Sequence, residues 1–392
     1  MSAASPIPAP AVPNVRAVRG GALDGLRFLA ALFVVVFHFG DEAPVAIASL
    51  HESLGRGYLA TDFFLMLSGF VLARAYGAPI IAGTVSPGRF WWKRFTRCYP
   101  THLITLGLLT AMVAIAALLG VAANHPENFP WSGVPAQILL LHVFGQGGGQ
   151  WNIPSWTISA LLVCYAAFPW LWRRMLYVRR PLTALGLGLL ILVGADLASL
   201  ALLGAEQFSL PFQWAIVRAA PLFLVGLTLA RIVQTGTWSP GSARLTGFAG
   251  VALLLGNAAL SGPDLVNVLA IATVIVGSGA APVTRPLPGA EWGARVSFSL
   301  FMTHTLTGAV WFGLVVPQLV RRLPALETVA WQGWMLWLGA GVAALVVADL
   351  YNRLIDAPIQ RWLNARLYAP GARSPFSRWS RPARYPAPEP SA

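Results

Sequence analysis

Apolar stretches long enough to cross a lipid bilayer dominate the sequence. A helix needs about 20 mostly apolar residues to span a hydrocarbon core of about 30 Å. Ten stretches of roughly that length follow one another along the 392 residues, at 23–40, 57–76, 99–121, 151–172, 181–203, 214–233, 243–260, 263–282, 292–317 and 330–355. Only 10% of the residues are charged, too few to cover a water-facing surface. The sequence therefore predicts an all-α integral membrane protein, a polytopic bundle of about ten transmembrane helices.

Basic residues mark alternate connections between these stretches. They form four groups: Arg16 with Arg19; Arg89, Lys93, Arg94 and Arg97; Arg173, Arg174, Arg179 and Arg180; and Arg361 with Arg366. Since Lys and Arg concentrate on the cytoplasmic side, we expect both termini in the cytoplasm, with Arg321 and Arg322 as an exception outside. An eleventh apolar run, 134–145, has only 12 residues. Because a crossing there would move the third group outside, we predict that this run is re-entrant or interfacial.

The chain is expected to form one membrane domain, residues 21–365, between disordered cytoplasmic tails at 1–20 and 366–392. The net charge of +13 does not indicate nucleic-acid binding, because the basic residues lie between apolar stretches and not on one face. That distribution favours contact with anionic lipid or phosphate. Cys98 and Cys164 lie in or beside apolar segments, without the spacing of a metal or redox site. No metal site and no tightly bound cofactor are predicted.

The first apolar stretch carries two polar side chains that a membrane does not readily accept. Arg27 and His38 are eleven residues apart, about three helical turns, so they lie on one face with a rise of roughly 16 Å. Arg27 is expected near the cytoplasmic boundary and His38 deep in the membrane. Ionisable residues at such depth are candidates for function. A snorkelling Arg and a hydrogen-bonded core His would account for the same pattern.

Asp62, in the second stretch, is expected at a depth comparable with that of His38. A carboxylate there could orient or charge the imidazole and let it act as a general base at neutral pH. The alternative is a structural Asp that caps a helix or pairs with an Arg. Ser68 and Gly69 follow on the same stretch, where small residues more often allow close helix packing than nucleophilic catalysis.

The connection FWWKRFTRCYP places Arg94 and Arg97 three residues apart on the approach to a helix, beside Lys93 and two Trp residues. Guanidinium groups at helical spacing suit bidentate binding of phosphate, and the Trp rings could cover an adenine. The alternative is a positive-inside anchor with interfacial aromatic residues. Other ionisable residues in apolar stretches, whose partners the sequence does not assign, are His304, Arg218, Asp196 and Asp349.

Taken in order, these segments resemble the acyltransferase 3 family of bacterial membrane O-acyltransferases. The six motifs that carry the resemblance are LDGLR with its Arg27–His38 pair, GYLATDFFLMLSGF, the Arg-x-x-Arg of KRFTRCYP, the Trp-centred PSWTISALLVCYAAFP, RVSFSLFMTH, and the acidic-x-Pro element of YNRLIDAPI. The resemblance covers about residues 20–365. None of the motifs is specific alone, but their order is.

The resemblance implies an enzyme of the bacterial inner membrane. It would move an acyl group, usually acetyl, from cytoplasmic acyl-CoA to a hydroxyl of a carbohydrate or lipid-linked acceptor, which is often on the outer side. Acyl-CoA would be a co-substrate and not a bound cofactor. Membrane lipids would surround the protein, and any second transfer step would need a separate periplasmic partner.

The resemblance also implies residue roles. His38 would be the catalytic base that takes the hydroxyl proton during attack on the thioester, with Asp62, placed by the depth argument, as its carboxylate. The other site residues would bind substrates: Arg27, Arg94 and Arg97 on the donor side, the last two at the CoA phosphates, and Trp156 and His304 elsewhere in the site.

At one position the chain departs from the family. The Trp segment of the family usually runs Trp-Ser-Leu-x-x-Glu, whereas Leu161 takes the place of the Glu here. The departure indicates a different acceptor, another acidic group or reduced activity. Two other functions stay open. One is a transporter or flippase of a lipid-linked saccharide or other polar solute, which intramembrane Arg, His and Asp would serve equally well. The other is a catalytically silent scaffold or sensor.

Overall fold

The computed structural model describes residues 20–120, 126–145, 151–323 and 330–367. The predicted tails therefore lie almost entirely outside the described residues. Within the described ranges the chain is helical, without strands. Ten helices have 17 residues or more: α1 Ala22–His38, α2 Tyr58–Ile81, α3 Pro87–Leu118, α4 Ser155–Met175, α5 Pro181–Leu203, α6 Ala215–Thr235, α7 Pro240–Ala259, α8 Asp264–Ala280, α9 Ala290–Val310 and α10 Ala330–Tyr351. One of them lies on each predicted apolar stretch.

Seven helical segments in the described ranges are long and apolar enough to cross a membrane by length and composition. These are Tyr58–Ile81, Pro87–Leu118, Ser155–Met175, Pro181–Leu203, Phe212–Thr235, Ala290–Arg322 and Trp331–Arg366. The prediction of a helical membrane protein is thus confirmed. The count of ten crossings stays a prediction, because α1 and α8 have only 17 residues each and α7 is not among the seven.

Three helices extend furthest beyond the thickness of a hydrocarbon core. The 32 residues of α3 give about 48 Å at about 1.5 Å per residue. α9 and α10 each continue through a five-residue π-helical turn, α10 through Asn352–Asp356 into the helix Ala357–Leu367. The continuation of α10 packs against the start of α3, where Gln360 donates a hydrogen bond to the carbonyl oxygen of Thr96 at 3.0 Å. This end of the bundle carries Arg94 and Arg97 on α3 and Arg361 and Arg366 on the last helix, and we call it the basic end.

Glycines allow α2 and α6 to cross in close contact. A Cβ atom at Gly69 would lie 2.2 Å from the carbonyl oxygen of Phe223, and one at Gly226 would lie 2.0 Å from that of Met66. The two backbones touch where any side chain would separate them. Gly69 therefore has the packing role that its context predicted. Phe70 and Leu222, both fully buried, belong to the apolar core around this crossing.

The run 134–145 does not form a spanning helix. It contains a five-residue helix, Val134–Ile138, which is followed at Leu140 by a left-handed backbone (φ 56°) and by a short 3-10 turn. Ser159 of α4 fixes the turn, because its hydroxyl accepts the N–H of Val143 at 3.0 Å and donates to the carbonyl of Leu140. The run is thus held against the bundle, and its depth in the bilayer stays a prediction.

Candidate functional site

A cavity of about 260 Å³ lies among α1, α2, α3, α4 and α9. Three arginines line it: Arg27 from α1, and Arg94 and Arg97 from α3. The rest of its wall is mostly apolar and includes Leu161 and Phe298. The structure therefore brings together the three arginines that were predicted on the donor side. It also places Leu161, the position of the departure from the family motif, in the same wall.

Arg94 has a donor that no described group uses. Its Nη2 donates to the hydroxyl of Tyr76 at 3.1 Å, and its guanidinium lies 5.1 Å from the centre of that ring. Its Nε is buried and has no hydrogen-bond partner among the described residues. A buried charged donor without a partner is costly. An anionic oxygen in the cavity would satisfy it.

Arg97 is held by a buried carboxylate from the other end of the chain. Its Nη1 lies 2.8 Å from Oδ1 of Asp356, and its guanidinium packs over the ring of Phe298 at 4.7 Å. The same Asp356 oxygen accepts a hydrogen bond from the hydroxyl of Thr101 at 3.1 Å. Asp356 belongs to the acidic-x-Pro element but was not among the predicted site residues. A carboxylate at the edge of an apolar helix, which needs a cationic partner, was the available signal.

His38 and His304 lie side by side, with ring centres 4.8 Å apart. Nδ1 of His38 lies 2.9 Å from the carbonyl oxygen of Val34, and Nδ1 of His304 lies 2.9 Å from that of Phe301. Because a carbonyl oxygen can only accept, each Nδ1 carries a proton, and in the neutral form of each ring Nε2 has a free lone pair. Nε2 of His304 is buried without a hydrogen-bond partner in the described structure.

Aromatic rings separate this imidazole pair from the arginines. Phe64 and Phe301 both line the cavity, and their ring centres are 5.8 Å apart. Phe301 also lies 6.3 Å from the ring of His304. The site therefore has three guanidinium groups at the basic end, an apolar middle, and two imidazole rings beyond a pair of Phe rings. Both His residues were predicted as site residues, but their contact was not.

Asp62 corrects the expected partnership with His38. Its two carboxylate oxygens lie 2.8 Å from Nε and 3.0 Å from Nη2 of Arg218, a bidentate ion pair. Both side chains are buried, Asp62 completely and Arg218 to 5% exposure. With both oxygens engaged by one guanidinium, Asp62 fits the alternative of a structural Asp that pairs with an Arg. Among the described residues, no contact between Asp62 and His38 supports a catalytic role for Asp62.

Trp156 belongs to the surroundings of this ion pair. The guanidinium of Arg218 lies 5.9 Å from the Trp156 ring and 5.4 Å from that of Tyr58. The cavity receives Thr157 and Leu161 from the same helix, but not Trp156. A substrate contact for Trp156 stays a prediction.

The two Trp residues of the basic connection stack within their own helix. Trp91 and Trp92 lie 5.2 and 5.3 Å from the ring of Phe95, with interplanar angles of 18° and 19°. Neither ring lines the cavity. This stack gives the proposed adenine contact no support.

The remaining intramembrane carboxylates have structural partners. Asp196 accepts the backbone N–H of Gln207 at 2.9 Å. Asp349 accepts from the indole N–H of Trp292 at 2.9 Å and pairs with Arg353 at 2.8 Å. No group of three or more His, Cys, Asp or Glu side chains in the described ranges could hold a metal ion.

A family model and two known bacterial proteins match parts of the chain. A family model described as an acyltransferase domain matches residues 21–353. Acyltransferase MdmB of Streptomyces mycarofaciens is 32% identical over 246 residues, which are 58% of this chain and 61% of that protein. Protein 2 in picA locus of Rhizobium radiobacter is 42% identical over 98 residues, 25% of this chain and 48% of that protein. The chain thus matches about half to three fifths of the length of these relatives. No solved structure matches the chain significantly.

Proposed function

Because the chain belongs to the acyltransferase 3 family, whose domain model matches residues 21–353, we propose that it transfers an acyl group from acyl-CoA to a hydroxyl of an acceptor. The observation that carries the proposal is that Arg27, Arg94 and Arg97 meet at one cavity whose remaining wall is mostly apolar. Acyl-CoA has the same division, with phosphates at one end and the acyl thioester at the other. The name of the relative MdmB, an acyltransferase, supports the same reaction class.

The arginines bind the phosphates of CoA. Guanidinium groups form bidentate, charge-assisted hydrogen bonds with phosphate oxygens, and Arg94 keeps a buried Nε–H for such an oxygen. The pantetheine and acyl parts follow the apolar wall, to which Leu161 contributes. With Leu in place of the usual Glu, this wall adds no negative charge near the phosphates and suits an acyl chain. Acetyl is the expected acyl group.

His38 takes the proton of the acceptor hydroxyl. Its Nδ1–H is tied to the Val34 carbonyl, so the Nε2 lone pair is the basic position. As the hydroxyl oxygen attacks the thioester carbonyl, its proton moves to Nε2. The C–S bond then breaks, the new ester forms, and the His38 imidazolium returns the proton to the departing CoA sulfur. For this step the thioester must pass the rings of Phe64 and Phe301.

The acceptor approaches from the opposite side of the bundle. His38 is the last residue of α1 and is exposed there, whereas the three arginines lie toward the basic end. With the basic end in the cytoplasm, as the charge distribution predicts, the acceptor is a carbohydrate or lipid-linked molecule of the cell envelope. The protein is then an inner-membrane enzyme with both termini in the cytoplasm, and a periplasmic partner takes part where a second transfer follows.

The proposal is tested with the purified protein in nanodiscs, supplied with acetyl-CoA and octyl glucoside as a hydroxyl-bearing acceptor. We expect release of free CoA and formation of acetylated octyl glucoside. Arg94→Ala should lower both by about tenfold or more, the order expected for losing a charged hydrogen-bond donor. Arg89→Ala is the matched control, because Arg89 is an exposed arginine of the same helix outside the cavity.

A wild type that cleaves neither acetyl-CoA nor longer acyl-CoAs, with or without an acceptor, would contradict the proposal. The transporter and the silent scaffold would then become the leading hypotheses. Equal losses in the Arg94 and Arg89 variants would argue against the cavity as the donor site.

A further inference from the structure

We propose that Asp356 is a positioning residue that holds Arg97 in the donor site. This inference rests on the proposed function and adds to it a residue of the acidic-x-Pro element. It concerns a carboxylate separated from Arg97 by 259 positions in the chain.

The contact geometry is that of a tether. Asp356 is 3% exposed, and its Oδ1 accepts from Nη1 of Arg97 at 2.8 Å and from the hydroxyl of Thr101 at 3.1 Å. Arg97 and Thr101 are four residues apart on α3, so one carboxylate oxygen spans one helical turn. The ring of Phe298 supports the guanidinium from one face at 4.7 Å. The Arg97 guanidinium is thereby held by the Asp356 carboxylate and by the Phe298 ring, and Thr101 of the same helix holds the carboxylate.

The tether matters because the Arg97 side chain has an alternative conformation. Its side chain is 34% exposed at the edge of the cavity, and a long Arg side chain there is free to extend into water. If it did, Asp356 would remain buried without its cation, which is strongly unfavourable. The buried carboxylate therefore keeps the guanidinium at the cavity wall in the absence of ligand.

The tether leaves Arg97 able to bind an anion. A guanidinium has five N–H donors, and Asp356 takes one of them, on Nη1. The other donors remain for a phosphate oxygen, and binding then requires no ordering of a free side chain. Pre-organisation of this kind raises affinity without adding a contact.

The last helical segment places the Asp356 carboxylate beside Arg97. Asp356 is the final residue of the π-helical turn Asn352–Asp356, directly before the helix Ala357–Leu367. Gln360 on that helix donates to the carbonyl of Thr96 at 3.0 Å, one residue before Arg97. The acidic-x-Pro element, through Asp356, and the helix after it, through Gln360, thus both contact the arginine-bearing turn of α3.

A thermodynamic cycle tests the inference. Affinity for acetyl-CoA is measured in nanodiscs for the wild type, Asp356→Ala, Asp356→Asn, Arg97→Ala and the Asp356→Ala/Arg97→Ala double variant. We expect Asp356→Ala to weaken binding about tenfold and Asp356→Asn, which keeps an acceptor oxygen, about threefold. In the Arg97→Ala background, Asp356→Ala should change affinity less than about twofold, because a residue that acts through Arg97 has nothing left to position.

Asp349→Ala is the matched control, since Asp349 lies on the same continuous helix and pairs with the exposed Arg353 outside the cavity. Its affinity should equal that of the wild type. If Asp356→Ala does not fold, Asp356→Asn carries the same cycle.

The result that overturns the inference is wild-type affinity in both Asp356 variants, or a loss that persists in the Arg97→Ala background. Tighter binding would also overturn it, since Asp356 would then compete with the phosphate. A wild type without affinity for acetyl-CoA overturns the proposed function and this inference with it. Wild-type binding that depends on Arg97 but not on Asp356 overturns this inference alone.

Discussion

His38→Ala should slow acyl transfer by at least about 100-fold while leaving acyl-CoA binding intact. The rate should fall by about 100-fold to 10,000-fold, the range that a general base contributes. Binding should persist because His38 does not line the cavity that holds the arginines. The measurement is the rate of CoA release and of acetyl-octyl glucoside formation, alongside the affinity for acetyl-CoA.

His51→Ala is the control for His38, because His51 is an exposed histidine whose Nδ1 contacts its neighbour Ser53. It should react at the wild-type rate. A His38 variant with undiminished turnover would mean that the base lies elsewhere. His304, whose Nε2 is also free, would be the first residue to substitute next.

Breaking the Asp62–Arg218 pair should have the largest effect on stability. Arg218→Ala leaves the fully buried Asp62 carboxylate without its cation, which should cost about 3–5 kcal/mol. Asp62→Ala should be similarly harmful, because it leaves the guanidinium buried. An apolar double variant, Asp62→Leu/Arg218→Met, should recover most of the loss, since no charge then remains buried. Thermal unfolding in nanodiscs measures all three.

The partly exposed Asp349–Arg353 pair supplies the comparison. The Arg353 side chain is 66% exposed, and Arg353→Ala should cost no more than about 1 kcal/mol. If Arg218→Ala unfolds at the same temperature as Arg353→Ala, the buried pair does not have the structural role assigned to it. If the double variant is folded but inactive, Asp62 or Arg218 has a part in the reaction beyond packing.

The sequence predicted which residues are helical and which side chains are unusual, because both follow from local patterns. Each predicted apolar stretch carries a helix, since long apolar runs satisfy their backbone groups internally. The family resemblance, and not a local pattern, placed Arg27 on the donor side. The arginines three apart on α3 were predicted from their spacing, and all three line one cavity.

Partners across the bundle could not be predicted in the same way. Asp62 and Arg218 are 156 positions apart, and depth along the membrane normal does not tell which helices are neighbours. Depth alone made His38 as plausible a partner for Asp62 as Arg218. The contact between His38 and His304 and the one between Arg97 and Asp356 likewise depend on how α1, α3, α9 and α10 pack.

The native cysteines allow the central claim, that acyl-CoA occupies the arginine-lined cavity, to be measured directly. The chain has two cysteines. Cys98, next to Arg97 in the sequence, lines the cavity and is partly exposed, whereas Cys164 is buried outside it. Alkylation by a membrane-permeant maleimide can therefore be followed at each site by mass spectrometry, without any substitution.

We expect acetyl-CoA at ten times its Kd to slow alkylation of Cys98 by about tenfold, because only the unoccupied fraction reacts. Free acetate at the same concentration should not protect. Cys164 should stay unmodified in every sample and so report that the fold is intact. If Cys98 reacts at the same rate with and without saturating acetyl-CoA or longer acyl-CoAs, the cavity does not hold the acyl donor.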